Sequence, residues 1–151
     1  MSFNPDRLAA LYYFGDLQYW KLPKIAADAL EHGFDGPLLR RIAGFEGLIA
    51  SDIPQEQINA AFREMGVDAP VSKADAMLSL AEQAAEDALS GHMSAFDAAT
   101  YIRVHLCELR EPPVLLSRIV KLSHEAETAP RQAWGRLESD LTEAMRQFAE
   151  R

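Results

Sequence analysis

The densest group of reactive side chains lies within eight residues: Tyr101, Arg103, His105 and Glu108. His105 and Glu108 stand three apart, so a helix would set them on one face. Both are metal-ligating types, but a metal site needs at least a third protein ligand. No second spaced pair supplies one. His32 precedes Gly33, where a cation would complement a helix C-terminus. His92 sits beside Gly91 in a turn, and the neighbours His124 and Glu125 point to different faces. Nucleophilic chemistry has no better footing, for there is no Gly-x-Ser-x-Gly elbow, phosphate loop or His-Glu-x-x-His. An ion pair between Glu108 and Arg103 or Arg110 is the structural reading of this segment. No catalytic residue, metal ligand or cofactor is therefore expected. A small enzyme or ligand-binding helical domain using Tyr101, Arg103, His105 and Glu108 stands as the alternative.

Aromatic residues crowd the N-terminus: Phe3, Tyr12, Tyr13, Phe14, Tyr19 and Trp20. Tyr12, Tyr13 and Phe14 are consecutive, so one helical face cannot bury all three. Aromatic rings with a polar tip are favoured at interfaces. Tyr13, Tyr19 and Trp20 are the candidate contact residues here.

Charge supplies a second candidate surface. The 15 basic and 23 acidic side chains leave −8, and residues 51–100 hold two bases against nine acids. Asp75, Glu82 and Glu86 recur at spacings of seven and four, which places them on one helical face. Such a strip is either a solvated outer face or a docking surface for a basic protein, whose approach it would speed. The same acidity argues against nucleic acid as a partner. Arg40 and Arg41 precede a helix with a further helix behind it, but the would-be reading helix carries Glu56 and Glu64. Those acids would repel phosphates.

The elements that must position these residues are helical throughout. Asn4-Pro5-Asp6 provides an N-cap, a proline at the first helical position and an acid in the first turn. That helix is expected to run to about Tyr13. Pro23 starts a second helix, which Gly33 stops. Gly36-Pro37 opens a third, ending at Gly44. Pro54 opens a fourth over Gln55 to Met65, with Ile58, Ala61, Phe62 and Met65 at helical spacing. Ser72 with Asp75, and Ser94 with Asp97, resemble capping boxes. They start helices that end near Ser90 and Leu109. Ala74, Met77, Leu78, Ala81, Ala84, Ala85 and Ala88 make the expected inner stripe of the first of these. Pro113 and Pro130 begin the last two helices. Trp134, Leu137, Leu141, Ala144, Met145 and Phe148 line the apolar face of the final one, which also offers a homodimer surface. No segment alternates in the manner of a half-buried strand.

The expectation is thus an all-α, single-domain bundle of about seven to eight helices over residues 1–151. Apolar residues make up 48% and charged residues 25%, an ordinary globular balance. No run reaches the ~18 apolar residues that span a bilayer, and the N-terminus lacks the basic start and apolar run of a signal peptide. No membrane partner is expected, and the cytoplasm is the expected compartment. Cys107 has no second cysteine to pair with. Among Val104, Leu106 and Leu109 it reads as a small core hydrophobe.

The run from Leu22 to Gly44, with its Ala-Leu-rich helix, Gly33, Asp35-Gly36-Pro37, Leu39-Arg40 and Ala43-Gly44, resembles a segment of a family of small uncharacterised bacterial helical proteins. Ala98-Ala99, Glu108-Leu109, Pro112-Pro113 and Leu122-Ser123 extend the likeness. Cys107 stands where the family pattern has a Trp before the Glu-Leu pair. The resemblance implies an all-helical fold and no agreed reaction. Some relatives resemble immunity or accessory proteins of bacterial competition systems. That implies a non-enzymatic interaction module, in the form of an immunity-type inhibitor meeting a basic partner through the acidic face.

Overall fold

A computed structural model describes residues 3–45, 52–108 and 111–151, and all secondary structure among them is helical. The eight α-helices are α1 (Pro5–Phe14), α2 (Leu22–Glu31), α3 (Pro37–Ala43), α4 (Gln55–Glu64), α5 (Lys73–Leu89), α6 (Ala95–Thr100), α7 (Val114–Thr128) and α8 (Trp134–Ala149). Short 3₁₀ turns lead into α2 (Tyr19–Lys21) and α8 (Arg131–Ala133). Leu109, Arg110 and most of the connection between α3 and α4 lie outside the described residues. None of the described helices is long and apolar enough to cross a membrane.

Local chemistry sets the helix ends. The Asn4 side chain accepts from the Arg7 N–H at 3.2 Å, with Pro5 in the first turn. Ser72 Oγ accepts from Asp75 N at 3.1 Å, and Ser94 Oγ from Asp97 N at 3.0 Å. Both serines act as N-caps, each satisfying a donor that the helix leaves unpaired. α1 runs one residue past the expected Tyr13. It closes at Gly15, whose φ of +106° lies in the left-handed region that glycine enters freely.

Packing within the chain falls into two compact units, 1–76 and 77–151. The boundary lies inside α5. In the first unit α2 packs on α3 and α3 on α4. Leu39, Ile42, Ile58, Phe62 and Met65 form its core with Ala26 and Ala29. In the second unit α7 packs on α8 and α6. Ile102, Leu116, Ile119, Leu137, Leu141 and Met145 are fully buried there.

Two packing expectations need correction. Trp134, placed on the apolar face of α8, is 46% exposed. It is the first residue of α8, at the end of the stripe, and its indole N–H donates to the Ala129 carbonyl at 3.3 Å, which holds the ring at the rim. On α5, Ala74 is exposed, while Ala76 and Leu80 join the buried side. Cys107 is buried, and burial pushes its thiol pKa up.

A seven-residue π-helical segment, Tyr101–Cys107, continues α6. It ends at Glu108, whose φ of +31° is rare for a residue with a side chain. Short π segments recur at functional sites. This one carries most of the reactive cluster read from the sequence.

Candidate functional site

Among the described residues, each unit has a concave site where side chains singled out in the sequence lie. In the first unit, the C-terminal half of α1, the chain leading into α2 and the start of α4 enclose an open groove of about 730 Å³. Tyr12, Tyr13, Gln18, Tyr19, Trp20, Gln55 and Asn59 line it, and none of the described lining residues is charged. The three candidates Tyr13, Tyr19 and Trp20 therefore lie in one place.

Tyr12 and Tyr13 reach the groove together by straddling one ring. Their centroids lie 5.7 Å and 5.6 Å from that of Phe62, and they meet each other edge-on at 5.0 Å. Tyr12, Tyr13 and Phe14 are all half-buried, which is how three consecutive aromatics share a helix without one being stranded in solvent. A hydrogen-bonded chain fixes the phenols. Tyr12 Oη donates to Gln55 Oε1 at 2.8 Å. Tyr13 Oη donates to Asn59 Oδ1, which also accepts from Gln55 Nε2 at 2.9 Å. Asn59 is only 4% exposed, so these bonds satisfy an amide that would be costly to bury alone.

Burial pushes the Tyr13 phenol up to about 12, with the neighbouring Tyr12 and Glu56 adding to the rise and Arg63 opposing it. Burial raises Tyr12 too, against the hydrogen bond from its hydroxyl to Gln55. Both phenols are neutral donors at ordinary pH. Tyr19 and Trp20 meet edge-on at 5.3 Å and stand 41% and 47% exposed, so they form the solvent-facing side of the groove.

In the second unit a pocket of about 240 Å³ lies against the π-helical segment, α6, α7 and α8. Phe96, Ala99, Ala126, Trp134 and Leu141 give it apolar walls. Thr100, Arg103, Ser123 and Glu127 give it a polar side. Arg103 Nε donates to Ser123 Oγ at 2.9 Å, and its Nη2 lies 3.3 Å from Glu127 Oε1. The Arg103 side chain is 14% exposed and that of Glu127 59%, so the cation is fixed and its carboxylate partner is largely in solvent.

Of the reactive cluster on this segment, only Arg103 lines the pocket. Tyr101 and His105 stack on each other, with centroids 5.3 Å apart. Arg103, two residues from each, reaches α7 instead. Glu108 is exposed at the strained end of the segment. The ion partner of Arg103 is Glu127 and not Glu108, because the segment ends at Glu108 while α7 packs alongside Arg103. Among the described residues no three of His, Cys, Asp and Glu gather as a metal site would require.

The acidic strip divides between the units. Asp75 is exposed in the first turn of α5 and belongs to the first unit. Glu82 and Glu86 belong to the second, where Glu82 Oε2 lies 3.5 Å from Arg151 Nη2.

Sequence reasoning passed over Gln55 and Asn59 in the groove, and Ser123 and Glu127 in the pocket. Asn59 had a readable signal: it interrupts the apolar stripe of α4 three residues before Phe62. Glu127 had none, since only the packing of α7 beside Arg103 makes it a partner. No protein-family model, curated protein or solved structure matches the chain.

Proposed function

We propose that this chain is a non-enzymatic protein-interaction module. Its contact surface is the aromatic groove of the first unit. Its partner is a basic protein that presents an uncharged, extended, proline-containing segment. The observation that carries this reading is the groove's composition: three tyrosines and a tryptophan, three carboxamides (Gln18, Gln55 and Asn59) and no charge among the described residues, with Tyr19 and Trp20 left open to solvent.

Aromatic rings of this kind combine large contact area with few rotatable bonds, and so lose little entropy on binding. Aromatic-lined grooves take extended proline-rich segments, whose rings lie flat on tyrosine and tryptophan and whose backbone is already ordered. A charged segment would lose its hydration here without gaining a counter-ion. The basic character of the partner follows from long-range charge. The chain carries −8, and a field of one sign speeds encounter with the other. An immunity-type role, which the resemblance of residues 22–44 implies, has the same requirement of a basic partner.

Affinity capture with the purified chain, run in parallel with a Trp20→Ala variant and a Val114→Ser control, tests the reading. Val114 is 90% exposed and remote in sequence from the groove. The expected result is a basic protein retained by the wild type and by the control but lost with Trp20→Ala. Capture that is indifferent to Trp20→Ala overturns the proposal.

A further inference from the structure

We propose that the pocket of the second unit binds a free apolar α-amino acid as its zwitterion. The carboxylate pairs with Arg103, the ammonium group with Glu127, and the side chain lies among Phe96, Ala126, Trp134 and Leu141. This site is separate from the aromatic groove and does not depend on the function proposed for it.

Charge balance selects the ligand. One cation and one anion stand 3.3 Å apart on the pocket's polar side, and the remaining walls are mostly apolar. A simple carboxylate would take Arg103 and leave Glu127 without its partner. A simple amine would take Glu127 and leave Arg103, only 14% exposed, as an uncompensated cation. Arg103 is the desolvated member of the pair, so leaving it unpaired is the costly outcome. A zwitterion inserted between the two replaces one ion pair with two and leaves no charge unmatched.

The pair is built to admit such an insertion. Ser123 holds the Arg103 guanidinium through Nε, so the cation keeps its orientation when Glu127 moves. Glu127, 59% exposed, can swing outward at little cost. The described contacts of Arg103 use Nε and Nη2, leaving Nη1 to make a second bond to a carboxylate. Thr100 and Ser123 add hydroxyl-bearing residues to the lining.

Size narrows the class further. A volume of about 240 Å³ has room for one apolar amino acid such as leucine or phenylalanine. The π-helical segment contributes Arg103 from a backbone geometry that is frequent at functional sites.

Isothermal titration of the full chain with L-phenylalanine and L-leucine, against 3-phenylpropionate and 2-phenylethylamine, tests the proposal. The amino acids should bind saturably, and each one-charge analogue should bind about tenfold or more weakly. Arg103→Met and Glu127→Gln should each weaken L-phenylalanine by a similar factor. Glu127 lies largely in solvent, so Glu127→Gln keeps the test decisive even if Arg103→Met fails to fold. Absence of amino-acid binding, equal binding of the one-charge analogues, or binding indifferent to Glu127→Gln overturns the proposal.

Discussion

The carboxyl group of Glu64 lies against Gly36, in the space that any side chain at position 36 would need. From there its two oxygens accept the N–H groups of Leu38 and Leu39 at 3.1 Å and 2.9 Å. A residue at the end of α4 thus caps the start of α3, where the negative charge also complements the helix dipole. The φ of Gly36 is 170°, an extended value open to any residue. Glycine is needed there for room and not for backbone freedom.

Gly36→Ala should therefore cost what the cap contributes, about 0.5–2 kcal/mol, because the Glu64 side chain must swing away. Glu64→Ala should cost a similar amount. The double variant should cost little more than either alone, since one interaction is being removed twice. Denaturant unfolding of the four proteins measures this directly, and strictly additive losses would disprove the coupling.

The Tyr13 phenol, raised to about 12 from an ordinary 10.0, predicts an alkaline loss of stability. The folded state holds that proton more tightly than the unfolded chain does. The stability it contributes is fully present below pH 10 and is lost as pH rises through 10 towards 12. Tyr13→Phe should make that decline shallower. Tyr12 titrates in the same direction, so a residual slope should persist in the single variant. Unfolding midpoints between pH 9 and 12 would show it, and an unchanged slope in Tyr13→Phe would rule it out.

Leu141 is fully buried on α8, and Leu141→Ala should cost about 2–5 kcal/mol depending on how far the cavity collapses. Trp134→Ala should cost clearly less despite removing a larger side chain, because Trp134 is 46% exposed. Reversal of that order in thermal melts would mean that α8 does not pack as described.

Charge reversal on α5 should separate two otherwise similar acids. Glu82→Lys loses the contact with Arg151 and sets two cations together, a change worth up to about 1 kcal/mol at this partly exposed position. Its cost should shrink as salt is added. With a basic partner in hand, the combined Glu82→Lys, Glu86→Lys protein should associate more slowly at low salt with little change in dissociation. Rates that ignore both salt and reversal would assign these acids to solubility alone.

What the sequence by itself determined is local. Asn4, Ser72 and Ser94 cap the helices they were expected to cap, because a capping side chain bonds a backbone group only three residues away. The apolar stripes of α4 and α8 were legible for the same reason, since 3.6-residue periodicity is a property of short segments. The exception is Glu108, which a continuous helix would align with His105: the helical segment stops before it, at a φ of +31°, while Tyr101 and His105 still stack. Only the tertiary structure decided that Glu64 caps a helix 25 and 26 residues away, and that Arg103 meets Ser123, 20 residues on, and Glu127. It also decided that Tyr13, Tyr19 and Trp20 share a groove with Gln55 and Asn59. The physical reason is that such partners are chosen by which helices pack together. That depends on the fit of whole apolar faces and on the turns between them, and apart from Asn59, which interrupts the stripe of α4, it leaves no mark in the spacing of the polar residues brought into contact.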